Sequence, residues 1–274
     1  MFNQQSPFLQ KAPSVTFVML LVMVALLPGI LAYTFLFGIG VLLNLTIAIV
    51  TALFAEYFIL KIRNLPVKLF ITDGSAIVAS SLLAISIPTI APWWIIVIGT
   101  LFTIVVAKHL YGGLGSNLFN PAMVGYAVLL ISFPAIMTKW QLPASHLLDF
   151  NIAQQLEVFF YGTKNLVDSV SSATPLDYIK TQIFLKRPFD LNFSYGMPLN
   201  SYFNASIIIS LSFFIGGLFM WSKKIITWHL PVTFLLSLAL ISAIFWLIDS
   251  SQYLPPFIHL FSGGTLLCAF FIIT

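Results

Sequence analysis

Charge is the scarcest component of this chain. Of 274 residues, 7% are Asp, Glu, Lys or Arg, against 59% that are apolar. Soluble domains carry about 25% charged residues. A soluble core of this length could not hide so much apolar surface, so most of the chain faces lipid or other apolar helices. Cysteine is nearly absent: Cys268 stands alone, in an apolar run. A disulfide framework, a CxxC motif and a cysteine-ligated iron–sulfur cluster within the chain are excluded, and Cys268 reads as a small core residue. The four histidines are dispersed, without HExxH spacing, so no metal site is expected. No Ser/His/Asp or Cys/His nucleophile set can be assembled, and no catalytic residue is assigned. The net charge of +4 gives no case for nucleic acid, because topology places the cations.

What is abundant is long apolar runs. The first, Val15 to Leu60, is too long for a cleaved signal peptide. A hydrocarbon core takes about 20 apolar residues per helix. On that ruler eight segments are expected, near 15–33, 37–60, 69–90, 93–110, 120–137, 203–221, 229–247 and 257–274. Pro28, Pro88, Pro134 and Pro231 fall at ends or kinks, which membrane helices tolerate. Lys61, Arg63 and Lys68 follow segment two, Lys108 ends segment four, and Lys223 and Lys224 follow segment six. Counting crossings puts these six on one side with the N-terminus and Lys11, and the positive-inside rule makes that side cytoplasmic. Thr138 to Ser201 then lies outside, in the periplasm of a Gram-negative cell. Phe159, Phe160, Tyr161, Ile183, Phe184 and Leu185 in this stretch argue for folded structure.

This outer segment contains Asp168-Ser169-Val170-Ser171-Ser172-Ala173-Thr174-Pro175-Leu176-Asp177. The acid, the small-residue run and the Ala-Thr pair resemble the signature at which bacterial flavin transferases esterify FMN onto threonine. Thr-Pro-Leu-Asp is also a good helix start, with Thr174 as N-cap, Pro175 as first helical residue and Asp177 as the acid of a capping box. The two readings are compatible. A phosphodiester on Thr174 would sit where free backbone N–H groups and the positive end of a helix dipole stabilise an anion.

His109 to Met123 holds Gly112, Gly113 and Gly115 with Asn117 and Asn120. It lacks the GK[ST] of a P-loop, and Leu118 stands where GxGxxG needs its third glycine. Two alternatives stay open: an unwound re-entrant backbone lining a cavity, or a tight loop with Asn120 capping segment five. Glu56 and Asp73 are the acids in or near membrane segments, functional candidates by default. Either could reach water or pair with Lys61 or Lys68, and Gly74 and Ser75 allow a broken helix beside Asp73. Asp73-Gly74-Ser75-Ala76 opens segment three, and Ser262-Gly263-Gly264-Thr265 opens segment eight in the opposite direction, as an inverted repeat requires.

Together, the Gly112–Met123 stretch, Thr72-Asp73-Gly74-Ser75-Ala76 and Ser171–Asp177 resemble the D subunit of Rnf-type ion-translocating electron transport complexes. More distantly they are similar to the B subunit of the sodium-translocating NADH:quinone reductase. The resemblance runs over essentially the whole chain. It implies an all-α polytopic membrane protein, an inverted-repeat helix bundle of ten helices with about eight present here. Thr274 ends an apolar run, so the last two helices are expected to be missing. Expected divisions are a first membrane half at 1–137 with the glycine-rich loop at 109–123, a periplasmic loop at 138–201 and an incomplete second half at 202–274. The resemblance further implies FMN phosphoester-linked to Thr174 by a periplasmic flavin transferase. A second, non-covalent flavin and a quinone region are implied near Gly112 and Gly113. The other subunits of the complex and the lipid bilayer are the implied partners. Ser172 stands where the related reductase has glycine. The rival reading is a secondary transporter or channel for a small solute, and a third is a membrane scaffold whose loop docks partners.

Overall fold

The computed structural model describes residues 14–143, 152–162, 171–185, 199–250 and 252–273. Asp168, Ser169 and Val170 of the attachment motif lie outside the described residues. The chain is an all-α polytopic membrane protein. Helix α1 (Val15–Phe37) starts on Ser14, whose hydroxyl accepts the Phe17 N–H, and stops at Gly38. It is followed by α2 (Gly40–Ile62), the short α3 (Val67–Ile71) and α4 (Ser75–Ser86). Helix α5 (Trp93–Leu101) continues as π-helical turns over Phe102–Leu110. Next come α6 (Pro121–Ser132), α7 (Pro134–Met137) and the two-residue strand β1 (Trp140–Gln141). There follow α8 (Ile152–Tyr161), β2 (Ser171–Ser172) and α9 (Pro175–Phe184). The chain returns through α10 (Leu199–Ser222) and α11 (His229–Ile248), then α12 (Pro256–Phe261) and α13 (Thr265–Leu267), which runs on as π-helical turns over Cys268–Ile272.

Among the described residues, five helices are long and apolar enough to cross a membrane: Val15–Phe37, Gly40–Ile62, Trp93–Leu110, Tyr202–Ser222 and His229–Ile248. The other three expected segments are broken or shortened, each for a local reason. Segment three divides at Gly74, which takes φ +79, a left-handed conformation that costs other residues a Cβ clash. Segment five ends its first helix at Ser132, and Pro134 starts α7. Segment eight divides at Ser262–Gly264 between α12 and α13.

Helices α1 and α10 cross closely because glycine lets them. A Cβ on Gly216 would lie 2.0 Å from the Ala25 carbonyl oxygen, and one on Gly29 would lie 2.2 Å from the Phe213 ring. Small residues at such crossings are the membrane substitute for a hydrophobic driving force. The core around Leu26, Leu83, Ile95, Ile96 and Leu129 is fully buried. By contrast Phe35, Ile131, Leu247 and Ile248 stand more than two-thirds exposed, as lipid-facing side chains do.

The stretch between α7 and α10 is tied to the bundle at three points. Strands β1 and β2 pair antiparallel, with Trp140 opposite Ser172 and Gln141 opposite Ser171. Helix α8 buries Val158 and Phe159, and α9 buries Ile179 against Leu254 and Ile258. Phe160, Tyr161, Phe184 and Leu185 are exposed.

Candidate functional site

Thr174 is the N-cap of α9. Its hydroxyl oxygen accepts the Asp177 N–H at 3.2 Å and its O–H donates to Asp177 Oδ2 at 2.6 Å. The Asp177 carboxylate therefore takes up the Thr174 hydroxyl hydrogen, closing a small ring at the helix start.

Thr174 also forms part of the wall of a cavity of about 390 Å³, inside the range of ~300–1,000 Å³ usual for ligand sites. Much of this wall is aromatic: Tyr33 and Phe37 from α1, Tyr126 from α6, Trp140 from β1, and Tyr202 and Phe213 from α10. Phe37 meets Tyr33 and Tyr202 edge-on at ring separations of 5.1 and 5.6 Å. Ser262, Gly263 and Gly264, the break before α13, close another side. The Ser262 hydroxyl is buried without a hydrogen-bond partner among the described residues. Cys268, expected as a plain core residue, is half-buried and forms part of the same wall.

Gln141 ties the strand pair that precedes Thr174 to the bundle. Its buried amide donates from Nε2 to the Phe37 carbonyl at 2.8 Å and accepts from Thr89 Oγ1 at 2.8 Å. This anchors β1, and β1 carries β2, two residues before Thr174.

A second cavity, of about 510 Å³, lies under the glycine-rich loop. Asn117, Leu118, Phe119 and Asn120 from the loop, Ser75 and Val78 from α4, Lys108 and Phe270–Ile272 form its wall. Gly112, Gly113 and Gly115 take φ of +113, +109 and +84, so the loop's turns depend on glycine. Asn120 caps α6 as expected, accepting the Ala122 N–H at 3.0 Å, and donates from Nδ2 to the Ile272 carbonyl at 3.3 Å. The Asn117 side-chain oxygen is buried without a partner among the described residues. The loop lies largely exposed and covers the cavity, so of the two open readings the cap is the observed one, with cavity lining added to it.

The two broken helices connect the cavities. Ile85 and Ser86, ending α4, meet the Thr174 cavity, as do Ser262–Gly264 at the start of α13. Ser75, starting α4, meets the loop cavity, as do Phe270 and Phe271 in the α13 run, and Ile272 at its end lies on the walls of both cavities. The two helices thus run in opposite directions between the same two cavities.

A charged network lies at the start of α4. Glu56 is 1% exposed, Lys108 3% and His109 6%. Lys108 Nζ donates to Glu56 Oε1 and, at 2.7 Å, to Ser75 Oγ. Asp73 Oδ1 accepts from the Ser75 N–H at 2.7 Å and from its hydroxyl at 2.5 Å. His109 Nε2 stands 3.4 Å from Glu56 Oε1, and Arg63 donates to the His109 carbonyl at 3.2 Å. Two expectations change here. Glu56 is buried and paired with Lys108, 52 residues away, rather than reaching water or Lys61 or Lys68. Lys108 is its buried partner rather than a surface cation of a cytoplasmic loop. Burying either charge alone would be prohibitive, and the π-helical turns of Phe102–Leu110 present both Lys108 and His109 to α2. Among the described residues no group of three or more His, Cys, Asp and Glu could hold a metal ion.

A sequence model of the NQR2, RnfD, RnfE family matches residues 2–274. The chain belongs to this family. Proteins named as the D subunit of an ion-translocating oxidoreductase complex are similar to it along nearly all of its length. The protein from Aliivibrio salmonicida is 43% identical over 288 residues, covering 100% of this chain and 81% of that protein. The one from Yersinia enterocolitica is 45% identical, covering 98% and 80%, and the one from Escherichia fergusonii is 41% identical, covering 98% and 80%. Of the residues singled out in the sequence of this NQR2/RnfD/RnfE chain, Thr174 lies on the wall of the first cavity and Asn117 and Asn120 on that of the second; Asp73 bonds Ser75, which shares the second wall, while Gly112 and Gly113 lie on neither. Sequence reasoning missed Gln141 and the places of Ser262 on a cavity wall and of Lys108 beside Glu56. The signal for Lys108 was present: a cation at the end of an apolar segment calls for a partner, and Glu56 was the acid on a facing helix.

Proposed function

We propose that this chain is the D-type membrane subunit of an ion-translocating oxidoreductase complex in a bacterial inner membrane. In this reading it carries FMN in phosphoester linkage to Thr174, attached by a flavin transferase, and works with the other subunits of that complex. The observation that carries the reading is the Thr174 hydroxyl at a helix N-terminus on the wall of an aromatic cavity. An isoalloxazine ring calls for flat apolar surfaces and a few polar contacts. The Tyr33, Phe37, Tyr126, Trp140 and Tyr202 walls and the unpartnered Ser262 hydroxyl suit it. The Leu176 and Asp177 N–H groups and the helix dipole suit the phosphodiester. Asp177 does not, until its carboxylate turns away, because esterification removes the hydrogen it now accepts.

When bound, the flavin supplies the electron-carrying chemistry, and the protein supplies position and electrostatics. The α9 N-terminus holds the tether, and the β1–β2 pair fixes the height of Thr174 on the cavity wall. The tether keeps the ring at a high effective concentration there. The loop cavity, with Ser75, Lys108, Asn117 and Asn120, suits a second, non-covalent flavin or a quinone-sized ring. The N-terminus and the glycine-rich loop are read as cytoplasmic and Thr174 as periplasmic.

Expression with the transferase, followed by in-gel flavin fluorescence and mass measurement of the Thr174 peptide, tests the reading. Wild type is expected to gain one FMN-sized addition, Thr174→Ser to retain it and Thr174→Ala to lose it. A wild-type chain without covalent flavin sinks the proposal. A solute-transporter reading draws on the two antiparallel broken helices between opposed cavities. Solute flux in liposomes lacking redox partners, with no flavin on the peptide, would replace the first reading with that one.

A further inference from the structure

The Thr174 hydroxyl is held in a way that a helix cap alone does not require. A cap needs the oxygen only as an acceptor, and Thr174 Oγ1 serves the Asp177 N–H in that way at 3.2 Å. The acid of a capping box reaches back to the backbone N–H of the cap residue. Here Asp177 Oδ2 takes the cap's hydroxyl hydrogen, at 2.6 Å, the length of a charge-assisted bond between a hydroxyl and a carboxylate. One residue therefore receives the hydroxyl hydrogen and offers the oxygen an N–H. The oxygen keeps a second lone pair. Thr174 is half-buried and Asp177 exposed, so the pair can be reached from outside. Asp177 also stands within electrostatic reach of Tyr126 and Tyr202 on the wall of the Thr174 cavity. An alcohol is a weak nucleophile until a base in hydrogen-bond contact takes its proton, and Asp177 is placed as such a base must be.

We propose that Asp177 is the general base for the esterification of Thr174, so that the chain activates its own hydroxyl for flavin attachment. The proposal rests on the reading of Thr174 as the attachment site. Forming the phosphoester needs a leaving group on the FMN phosphorus, which a flavin dinucleotide provides. Thr174 Oγ1 bonds to that phosphorus, the pyrophosphate bond breaks, and a nucleoside monophosphate leaves with the electron pair of that bond. The hydroxyl proton passes to Asp177 Oδ2, and nothing is oxidised or reduced. The Asp177 N–H stabilises the negative charge that builds on Oγ1. Taking the proton also makes the Asp177 carboxyl neutral at the moment a phosphodiester anion forms beside it. Once that proton is lost to water, the two anions face each other and the carboxylate turns away.

The test uses the full chain in nanodiscs, the purified flavin transferase and FAD as donor. Initial rates are read from in-gel flavin fluorescence and checked by the mass of the Thr174 peptide, at a series of concentrations of the chain. Asp177→Asn keeps a polar side chain of nearly the same shape and removes the base. It is expected to lower kcat by about 100-fold, within the range that a positioned base contributes. KM is expected to stay unchanged or fall, because a carboxylate no longer repels the donor's pyrophosphate. Long incubation is expected to bring this variant to the same covalent mass as wild type. Asp177→Glu, which restores a carboxylate, is expected to be faster than Asp177→Asn. An Asp177→Asn chain modified as fast as wild type, or faster, assigns the base to the transferase and overturns the proposal. A loss carried by KM overturns it too, since Asp177 would then be a docking contact, and so does an Asp177→Glu chain no faster than Asp177→Asn. A wild-type chain that gains no flavin overturns the reading of Thr174, and this proposal with it; once wild type gains flavin, the variants bear on Asp177 alone.

Discussion

At the scale of single residues, Thr174 and Asp177 have to serve two states of one site. In the unmodified chain Asp177 stabilises the start of α9 by accepting the Thr174 hydroxyl at 2.6 Å and by placing an anion at the helix N-terminus, worth roughly 0.3–1 kcal/mol. In the proposed flavin-bearing chain the same carboxylate faces a phosphodiester. Asp177→Asn is therefore expected to lower the thermal stability of the unmodified protein slightly and to raise that of the flavin-bearing protein. Melting curves of both forms, with and without the substitution, check the sign reversal; a shift in the same direction in both would refute it. Thr174, Pro175 and Asp177 were legible in sequence because a helix cap is written in four consecutive residues, and so was Asn120-Pro121 at the start of α6. The Glu56–Lys108 pair was not, because nothing local ties residues 52 positions apart. Pairing Glu56 with Lys61 or Lys68 was the nearest solution in sequence, and both of those lysines are exposed.

At the scale of elements, the two-residue strands matter more than their length suggests. The β1–β2 pair joins the Thr174 segment to the bundle, and Gln141 fixes β1 by two buried hydrogen bonds, to Phe37 and Thr89. Gln141→Leu would leave a buried carbonyl and a buried hydroxyl unpaired, at about 1–3 kcal/mol each. The expected result is a protein that still inserts, since the helices are untouched, but whose stretch between α7 and α10 is cleaved faster by protease and gains less of the proposed covalent flavin. Limited proteolysis in nanodiscs and in-gel fluorescence measure the two effects. Unchanged cleavage together with unchanged flavin would remove Gln141 from the positioning role. Such short strands carry no periodicity to read in sequence, which is why an all-α expectation passed over them. The broken helices were legible at Asp73-Gly74-Ser75 and Ser262-Gly263-Gly264, because glycine at a segment start marks where a helix can stop. Their joint placement between two cavities depends on packing and was not.

At the scale of the whole molecule, the arrangement sets two chemically different cavities at opposite ends of a pair of antiparallel broken helices. One is aromatic and bears Thr174; the other bears Lys108, the only buried lysine or arginine among the described residues. Orientation in the membrane decides which cavity meets which compartment. Removing Lys108 from the count of surface cations leaves Lys61, Arg63 and Lys68 after α2, and Lys223 and Lys224 after α10, all exposed. Five cations in two loops still favour one side as cytoplasmic. Because Cys268 is the sole cysteine, a Cys268→Ser chain provides a clean background for single cysteines. In intact cells, Lys180→Cys on α9 is expected to react with a membrane-impermeant maleimide once the outer membrane is made permeable. Lys223→Cys is expected to react only after the inner membrane is opened. The reverse pattern would put Thr174 in the cytoplasm, away from the proposed periplasmic transferase, while leaving the fold untouched. Labelling of both positions in intact inner membranes would show instead that α10 does not separate them across the bilayer, and the helix-crossing count would have to change.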